Sequence, residues 1–256
     1  MGLLDGKRLL ITGVLTDKSI AYSVAERAQQ EGAEIVLTGF DRGLRITQRM
    51  AGRLPNECDV LELDIGDPEH LAAVSADLKE RWGALDGVLH AIAFVPGDAL
   101  GGNFMTAPTA SALTALEVSS VSYKTLAAGL ADLLENGEGS IVGLDFDATV
   151  AWPAYDWAGV TKAALESINR YVARDLGPRG IRSNLISAGP LNTMAAKSID
   201  GFADLSKIWE ARAPLGWDLD DATPVADTAM FLFSNWSRAI SGEIIHVDGG
   251  LHGLGA

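Results

Sequence analysis

The sequence predicts an α/β fold: a single doubly wound Rossmann-like domain spanning 1–256, built on a mainly parallel sheet with helices on both faces. Three observations carry that prediction. Short runs rich in leucine, isoleucine and valine alternate with longer amphipathic segments along the whole chain. The runs are continuously apolar, as strands covered on both faces must be. No linker or low-complexity segment interrupts them, and an apolar fraction of 48% over 256 residues supplies one full core.

Each element has a local cause. RLLIT reads as the first strand, followed by a helix from about Ile20, the strand EIVLT, a helix from about Leu44, the strand VLELD, a helix from Pro68 and the strand GVLHAIA. Later come SIVGLDF, the helix holding Tyr155 and Lys162, IRSNLIS, a helix around Thr223 to Phe233, and EIIHVDGG. Asp67 before Pro68, with Glu69 next, is an N-cap followed by a first-turn proline and an acid at the positive end of the helix dipole. Gly32, Gly83 and Gly180 each precede a strand, where a helix end favours a residue tolerant of positive φ.

Composition removes several function classes. A formal net charge of -14, with no lysine-rich run, argues against nucleic acid and anionic membrane as partners. Cys58 is the only cysteine, and His70, His90, His246 and His252 are scattered, so neither a disulfide nor a metal site is expected. A reducing, cytoplasmic setting fits. The N-terminus MGLLDGKRLLITG carries Asp5, Lys7 and Arg8 where a signal peptide needs an apolar stretch, and Gly6 where a myristoylation motif needs serine or threonine. The longest apolar run, VLHAIAFV, is too short to span a bilayer.

In a doubly wound sheet the turn after the first strand is where a dinucleotide pyrophosphate meets a helix N-terminus. Here that turn is ITGVLTDKSIAYSVAERA, in which Gly13 alone matches the usual glycine pattern, Ser19 offers a hydroxyl and Ala21 allows close packing. The amides near Ser19 and Ile20 lack internal acceptors in a first helical turn. An ordinary βα turn would read the same way. After the second strand, Phe40 can stack an adenine, while Asp41 and Arg42 give mixed signals for the ribose. Asp64, ending LELDI, suits the adenine amino group, and equally an acid in the loop before the Pro68 helix.

The stretch AYDWAGVTKAALES places Tyr155 seven positions before Lys162, nearly two helical turns, so both can address one cleft; an aromatic and a snorkelling lysine on one helix is the bland alternative. With GVLTDKSIA, HAIAFVP, LDFDATVAWPAYDWAGVTKAALESINRYVA, RSNLISAGPLNT and IIHVDGG in this order, nearly the whole chain resembles the enoyl-acyl-carrier-protein reductases of the short-chain dehydrogenase/reductase superfamily. The resemblance is closest to their actinobacterial, mycobacterial-type NADH-dependent branch. Its discriminating feature is Tyr-x6-Lys, since ordinary superfamily members have Tyr-x3-Lys. Ordinary members also carry a substrate-binding serine where this chain has Asp145 and Phe146.

The resemblance implies that Ser19 and Ile20 hold the pyrophosphate beside Gly13, and that Phe40, Asp64 and Ile65 hold the adenosine. It implies Ile92 and Ala93 at the central ribose, and Lys162 at the nicotinamide ribose. Gly189, Pro190, Leu191 (through its backbone) and Thr193 would line the nicotinamide and phosphates. Phe40 and Asp64 match the NADH-using branch. The implied reaction reduces the trans-2 double bond of an enoyl thioester on acyl carrier protein or CoA, with Tyr155 as donor to the developing enolate. Lys162 beside it would favour the phenolate and orient ribose hydroxyls. Phe146 would pack by the nicotinamide and the substrate, or simply be a buried aromatic after a strand.

The family closes a substrate lid over the segment that is here about 194–213, shorter than in the mycobacterial type by roughly ten residues, which points to ordinary elongation intermediates. Met194 and Ile199 would contact substrate; with Phe202, Leu205, Ile208 and Trp209 they form an apolar stripe that equally fits helix packing. Asn192 stands where an arginine is common. Lys197, Lys207 and Arg212 can form a basic spot for the acidic carrier protein, or a solvated helix face. The apolar tail GEIIHVDGGLHGLGA implies a homotetramer by analogy. Two other readings stay open: a ketone/alcohol dehydrogenase of the same superfamily, and a non-catalytic dinucleotide-sensing regulator.

Overall fold

In the first strand, β1 (Arg8–Ile11), the side chains part to opposite faces of the sheet: Leu9 and Ile11 enter one apolar layer and Leu10 the other. The same division repeats in β2 (Glu34–Gly39), where Ile35 and Leu37 oppose Val36, and in β4 (Gly87–His90), where Leu89 opposes Val88. In β5 (Ser140–Asp145) Val142 opposes Ile141, and in β6 (Arg182–Ala188) Ile186 opposes Leu185. Two cores, one per face, explain why the strands read as unbroken apolar runs. The computed structural model describes residues 2–197 and 199–255; Met1, Ser198 and Ala256, which fall in the expected domain and lid ranges, lie outside the described residues.

With β3 (Val60–Glu62) and β7 (Ile244–Val247), the strands form one seven-stranded parallel sheet in the order β3-β2-β1-β4-β5-β6-β7. On one face lie α1 (Ile20–Gln30), α2 (Arg42–Ala51) and α10 (Thr223–Phe233), which contribute Val24, Ala28, Met50, Val225 and Phe233. On the other face, α3 (Pro68–Trp82) contributes Leu71 and Leu78, and α7 (Asp156–Leu176) contributes Leu165. The stretch between β4 and β5, for which the alternation above names no helix, folds into α4 (Thr109–Leu116), a π-helical turn Glu117–Val121, α5 (Ser122–Gly129) and α6 (Ala131–Asn136). After β6 come α8 (Met194–Lys197) and α9 (Phe202–Arg212).

The punctuation residues act as their chemistry requires. The Asp67 carboxylate accepts the Glu69 amide at 2.8 Å, capping α3. Gly32, Gly83 and Gly180 have φ of 92°, 68° and 76°. The second helix starts at Arg42, two residues before Leu44. No helix among the described residues is long and apolar enough to cross a membrane.

Candidate active site

All seven strands are parallel, so their C-terminal ends share one edge, and the strand order reverses direction at β1, between β2 and β4. The crevice at such a switch point is where doubly wound sheets bind ligands. It holds a cavity of about 440 Å³, walled by the loops after β1, β4, β5 and β6, the start of α7 and the segment 193–205. Thr12 pins the crevice: its hydroxyl donates to the Leu89 carbonyl and accepts the Ala91 amide, both at 2.9 Å.

On the β1 side, Gly13 has φ 80°, and a Cβ there would strike the Ala91 carbonyl. Only glycine fits this approach. Ser19 is the N-cap of α1 in extended conformation; its hydroxyl closes the preceding turn on the Thr16 carbonyl at 2.5 Å and makes no cap bond. The amides of Ile20 and its neighbours therefore sit at an uncapped helix N-terminus facing the cavity, a chemistry suited to a pyrophosphate. Ile92 and Ala93 line the same cavity after β4.

Phe40, Asp64 and Ile65 lie outside it, just beyond the ends of β2 and β3 on the same sheet edge. Phe40 is 50% exposed. The Asp64 carboxylate accepts the Gly66 amide at 2.9 Å, which is the local loop role the sequence also allowed. Gly189, Pro190 and Thr193 line the cavity after β6, whereas the Leu191 side chain, 5% exposed, belongs to the core. A Cβ on Gly189 would come within 2.7 Å of the Trp217 ring and 3.0 Å of Trp209 Nε1. Its glycine is thus demanded by tryptophan packing.

Tyr155, Lys162 and Phe146 all line the cavity. The route by which Tyr155 and Lys162 meet differs from the helical argument. Tyr155 is the N-cap of α7, and the next residue, Asp156, has φ 41°, so the chain turns out of helical register between them. The Lys162 ammonium donates to the Leu144 carbonyl at 2.8 Å, at the end of β5, with two further N–H donors available. Burial lowers its pKa, opposed by the Asp145 charge.

Burial, then the Asp145 charge, raises the pKa of Tyr155. This direction runs opposite to the phenolate that a neighbouring ammonium would favour, because burial disfavours the charged form of the phenol. That wall is aromatic. The Phe146 and Tyr155 ring centroids are 4.8 Å apart, Phe146 and Trp209 5.5 Å, and Trp152 and Trp209 4.8 Å.

Sequence reasoning gave no role to four residues. Asp145 is 5% exposed, lines the cavity, and neither carboxylate oxygen has a hydrogen-bond partner; burial pushes it up to about 7 against the opposing charge of Lys162. An acid closing an apolar strand was its visible signal. Ser119, in the π-helical turn, accepts the Phe94 amide and donates to the Phe94 carbonyl, both at 3.0 Å. The adjacent Ser120 donates to the Thr161 carbonyl at 2.7 Å, so the turn braces both the cavity wall and α7. His90, also beside Lys162, is driven down to about 3 by burial and stays neutral, with Nε2 2.8 Å from Ser122 Oγ.

In the 194–213 segment, Met194, 51% exposed, and Ile199 line the cavity. Phe202 and Leu205 both line it and pack in a third apolar cluster, while Ile208 and Trp209 serve packing alone. The stripe thus divides between the cavity wall and helix packing. Lys207 is paired with Asp204 at 2.7 Å and Arg212 donates to the Gly255 carbonyl at 2.7 Å, leaving Lys197 exposed on α8.

Residues 13–252 match the family model described as enoyl-(acyl carrier protein) reductase. The chain is 46% identical to the NADH enoyl-acyl-carrier-protein reductase of Mycolicibacterium smegmatis, covering 97% of each chain. It is 45% identical to that of Mycobacterium avium, again over 97% of each. With that of Escherichia coli the identity is 37%, over 98% of this chain and 95% of the other. A switch-point cavity, a Tyr-x6-Lys pair converging in it and full-length similarity to these reductases agree: the chain belongs to the enoyl-acyl-carrier-protein reductase family.

Proposed function

We propose that this protein reduces the trans-2 double bond of enoyl thioesters carried on acyl carrier protein, using NADH, in fatty-acid elongation. One observation carries the reading: Tyr155 and Lys162 converge on a cavity whose β5 wall presents Phe146 and a carboxyl in place of a hydroxyl. A ketone reductase needs a second hydroxyl donor there; an enoyl reductase needs one donor and an apolar wall.

Bound NADH would supply the hydride that the β-carbon receives. Negative charge then gathers on the thioester oxygen, and a hydrogen bond from the Tyr155 phenol stabilises that enolate more than the ground state. Because Tyr155 is held neutral, its proton is present to donate across the ordinary pH range. Lys162, whose ammonium donates to the Leu144 carbonyl, would offer its remaining N–H donors to the nicotinamide ribose. Gly13, Ser19, Ile20 and the 189–193 turn would hold the pyrophosphate, with Ile92 and Ala93 at the central ribose and Phe40, Asp64 and Ile65 at the adenosine.

Residues 1–256 act as one catalytic domain, with residues 194–213 as its lid. Met194 and Ile199 contact the acyl chain from that lid, and a carrier protein docks beside Lys197 and Arg212. The protein works in the cytoplasm as a homotetramer. The short lid suits short and medium chains.

The test is NADH oxidation with trans-2-enoyl thioesters of increasing length, alongside NADPH and a simple ketone. Turnover with enoyl thioesters, peaking at short or medium chains, is expected. Silence with NADH still bound would leave a dinucleotide sensor, and ketone reduction an ordinary dehydrogenase.

A further inference from the structure

Tyr155 is held between two residues in the left-handed region: Ala154 has φ 60° and Asp156 φ 41°. Neither is glycine, so each conformation is unfavourable and persists only where surrounding contacts impose it. Those contacts come from one loop. Asp156 Oδ2 accepts the amides of Gly102 at 2.6 Å and Asn103 at 2.9 Å, and the Ala154 carbonyl accepts the Gly101 amide at 3.1 Å. Trp157 Nε1 donates to the Phe104 carbonyl at 3.1 Å, and their rings stack with centroids 5.3 Å apart.

The loop also reaches the cavity and the lid. Leu100 is part of the cavity wall, and its carbonyl accepts Asn103 Nδ2 at 2.7 Å. A Cβ on Gly101 would lie 3.2 Å from Asp200 Cβ, and one on Gly201 would lie 3.1 Å from Ala154 Cβ. Loop 100–104, turn 154–157 and the residues preceding α9 therefore meet at one junction. Two side chains bind the first two together, Asp156 through its carboxylate and Trp157 through its indole.

We propose that Asp156 is a positioning residue for Tyr155: its carboxylate fastens loop 101–103 to the turn that carries the phenol and so sets where that phenol stands in the cavity. The inference rests on the reading of Tyr155 as the enolate donor. Asp156 is not part of the cavity wall. Its two accepted bonds converge on one oxygen, so an amide oxygen at the same place serves as well, whereas a methyl group does not.

The experiment is steady-state kinetics of the full chain with NADH and a trans-2-enoyl thioester, with NADH affinity and melting temperature measured in parallel. Asp156→Ala is expected to lower kcat by a factor of about 10 to 100, with KM for the thioester and NADH affinity little changed. Asp156→Asn restores most of the loss. In a Tyr155→Phe background, Asp156→Ala costs nothing further, because the group it positions is already gone.

Wild-type kcat in Asp156→Ala, failure of Asp156→Asn to rescue, or full additivity with an impaired Tyr155→Phe protein would each overturn the inference alone. A Tyr155→Phe protein with wild-type turnover would instead overturn the donor reading, and this inference with it. Should Asp156→Ala fail to fold, Trp157→Phe removes the indole N–H to Phe104 and part of the stacked ring while leaving an aromatic in place; it must show a smaller kcat loss with the same dependence on Tyr155, and an additive loss counts against the proposal.

Discussion

The Phe146 ring faces the Tyr155 ring with centroids 4.8 Å apart and planes inclined by 52°. This contact joins the two departures from the ordinary superfamily pattern, the lost serine and the lengthened Tyr-Lys spacing. An aromatic wall beside the phenol removes a competing hydroxyl and strips water from the one that remains. The same desolvation raises the Tyr155 pKa and keeps a proton on its oxygen.

Tyr155→Phe keeps the ring contact and deletes the donor. Turnover should fall by about 10²–10³-fold, the usual effect of removing one oxyanion donor. NADH affinity, measured by fluorescence titration, should not change. Undiminished turnover would remove Tyr155 from the donor role.

Lys162→Ala should weaken NADH binding by at least about tenfold, the loss of a charge-assisted hydrogen bond. It also strips the opposing charge from Asp145, so the melting temperature should fall. A mutant binding NADH like wild type would refute the ribose assignment.

Asp145 gives a signed pH prediction. Its folded carboxyl is pushed up to about 7, first by burial; in the unfolded chain it titrates near about 3.9. Between those values the folded state keeps a proton that the unfolded state has released, so stability falls as pH rises. The contribution is whole below about pH 4 and gone above about pH 7. Relative to wild type, Asp145→Asn should flatten the melting-temperature profile across that window; parallel profiles would show that Asp145 does not titrate there.

Gly13→Ala should be severe. The alanine would have to adopt φ 80° with its Cβ against the Ala91 carbonyl, so strain and displacement of the β1–β4 crevice act together. A loss of about 1–3 kcal/mol in stability, with NADH affinity reduced, is expected from denaturant titration and binding. Wild-type values for both would contradict the close approach.

Trp209, on α9, is 1% exposed and packs against Phe146 and Trp152. Trp209→Ala should cost about 3–5 kcal/mol. Trp209→Phe should cost far less, because the buried indole Nε1 has no hydrogen-bond partner to lose. Equal destabilisation by both would mean that the indole's full outline, rather than an aromatic ring, is what the site requires.

The sequence by itself determined the seven strands, the helix boundaries at Asp67–Pro68 and Thr223–Phe233, and the family. These depend on local rules: apolar runs, caps and ordered motifs survive being read one segment at a time. It also named Gly13, Ser19, Ile20, Ile92, Ala93, Phe146, Gly189, Pro190 and Thr193, which line the cavity, most of them through the family resemblance rather than through a local rule. Tertiary structure alone decided the rest. The direction in which the Tyr155 pKa moves depends on what packs around it, and burial against the aromatic wall raises it. That Gly189 makes room for Trp209 and Trp217, that Asp145 lies buried without a partner, and that a loop some fifty residues upstream holds Asp156 out of helical register are consequences of distant segments meeting. Desolvation and close approach are properties of an assembled space, and no local pattern along the chain encodes them.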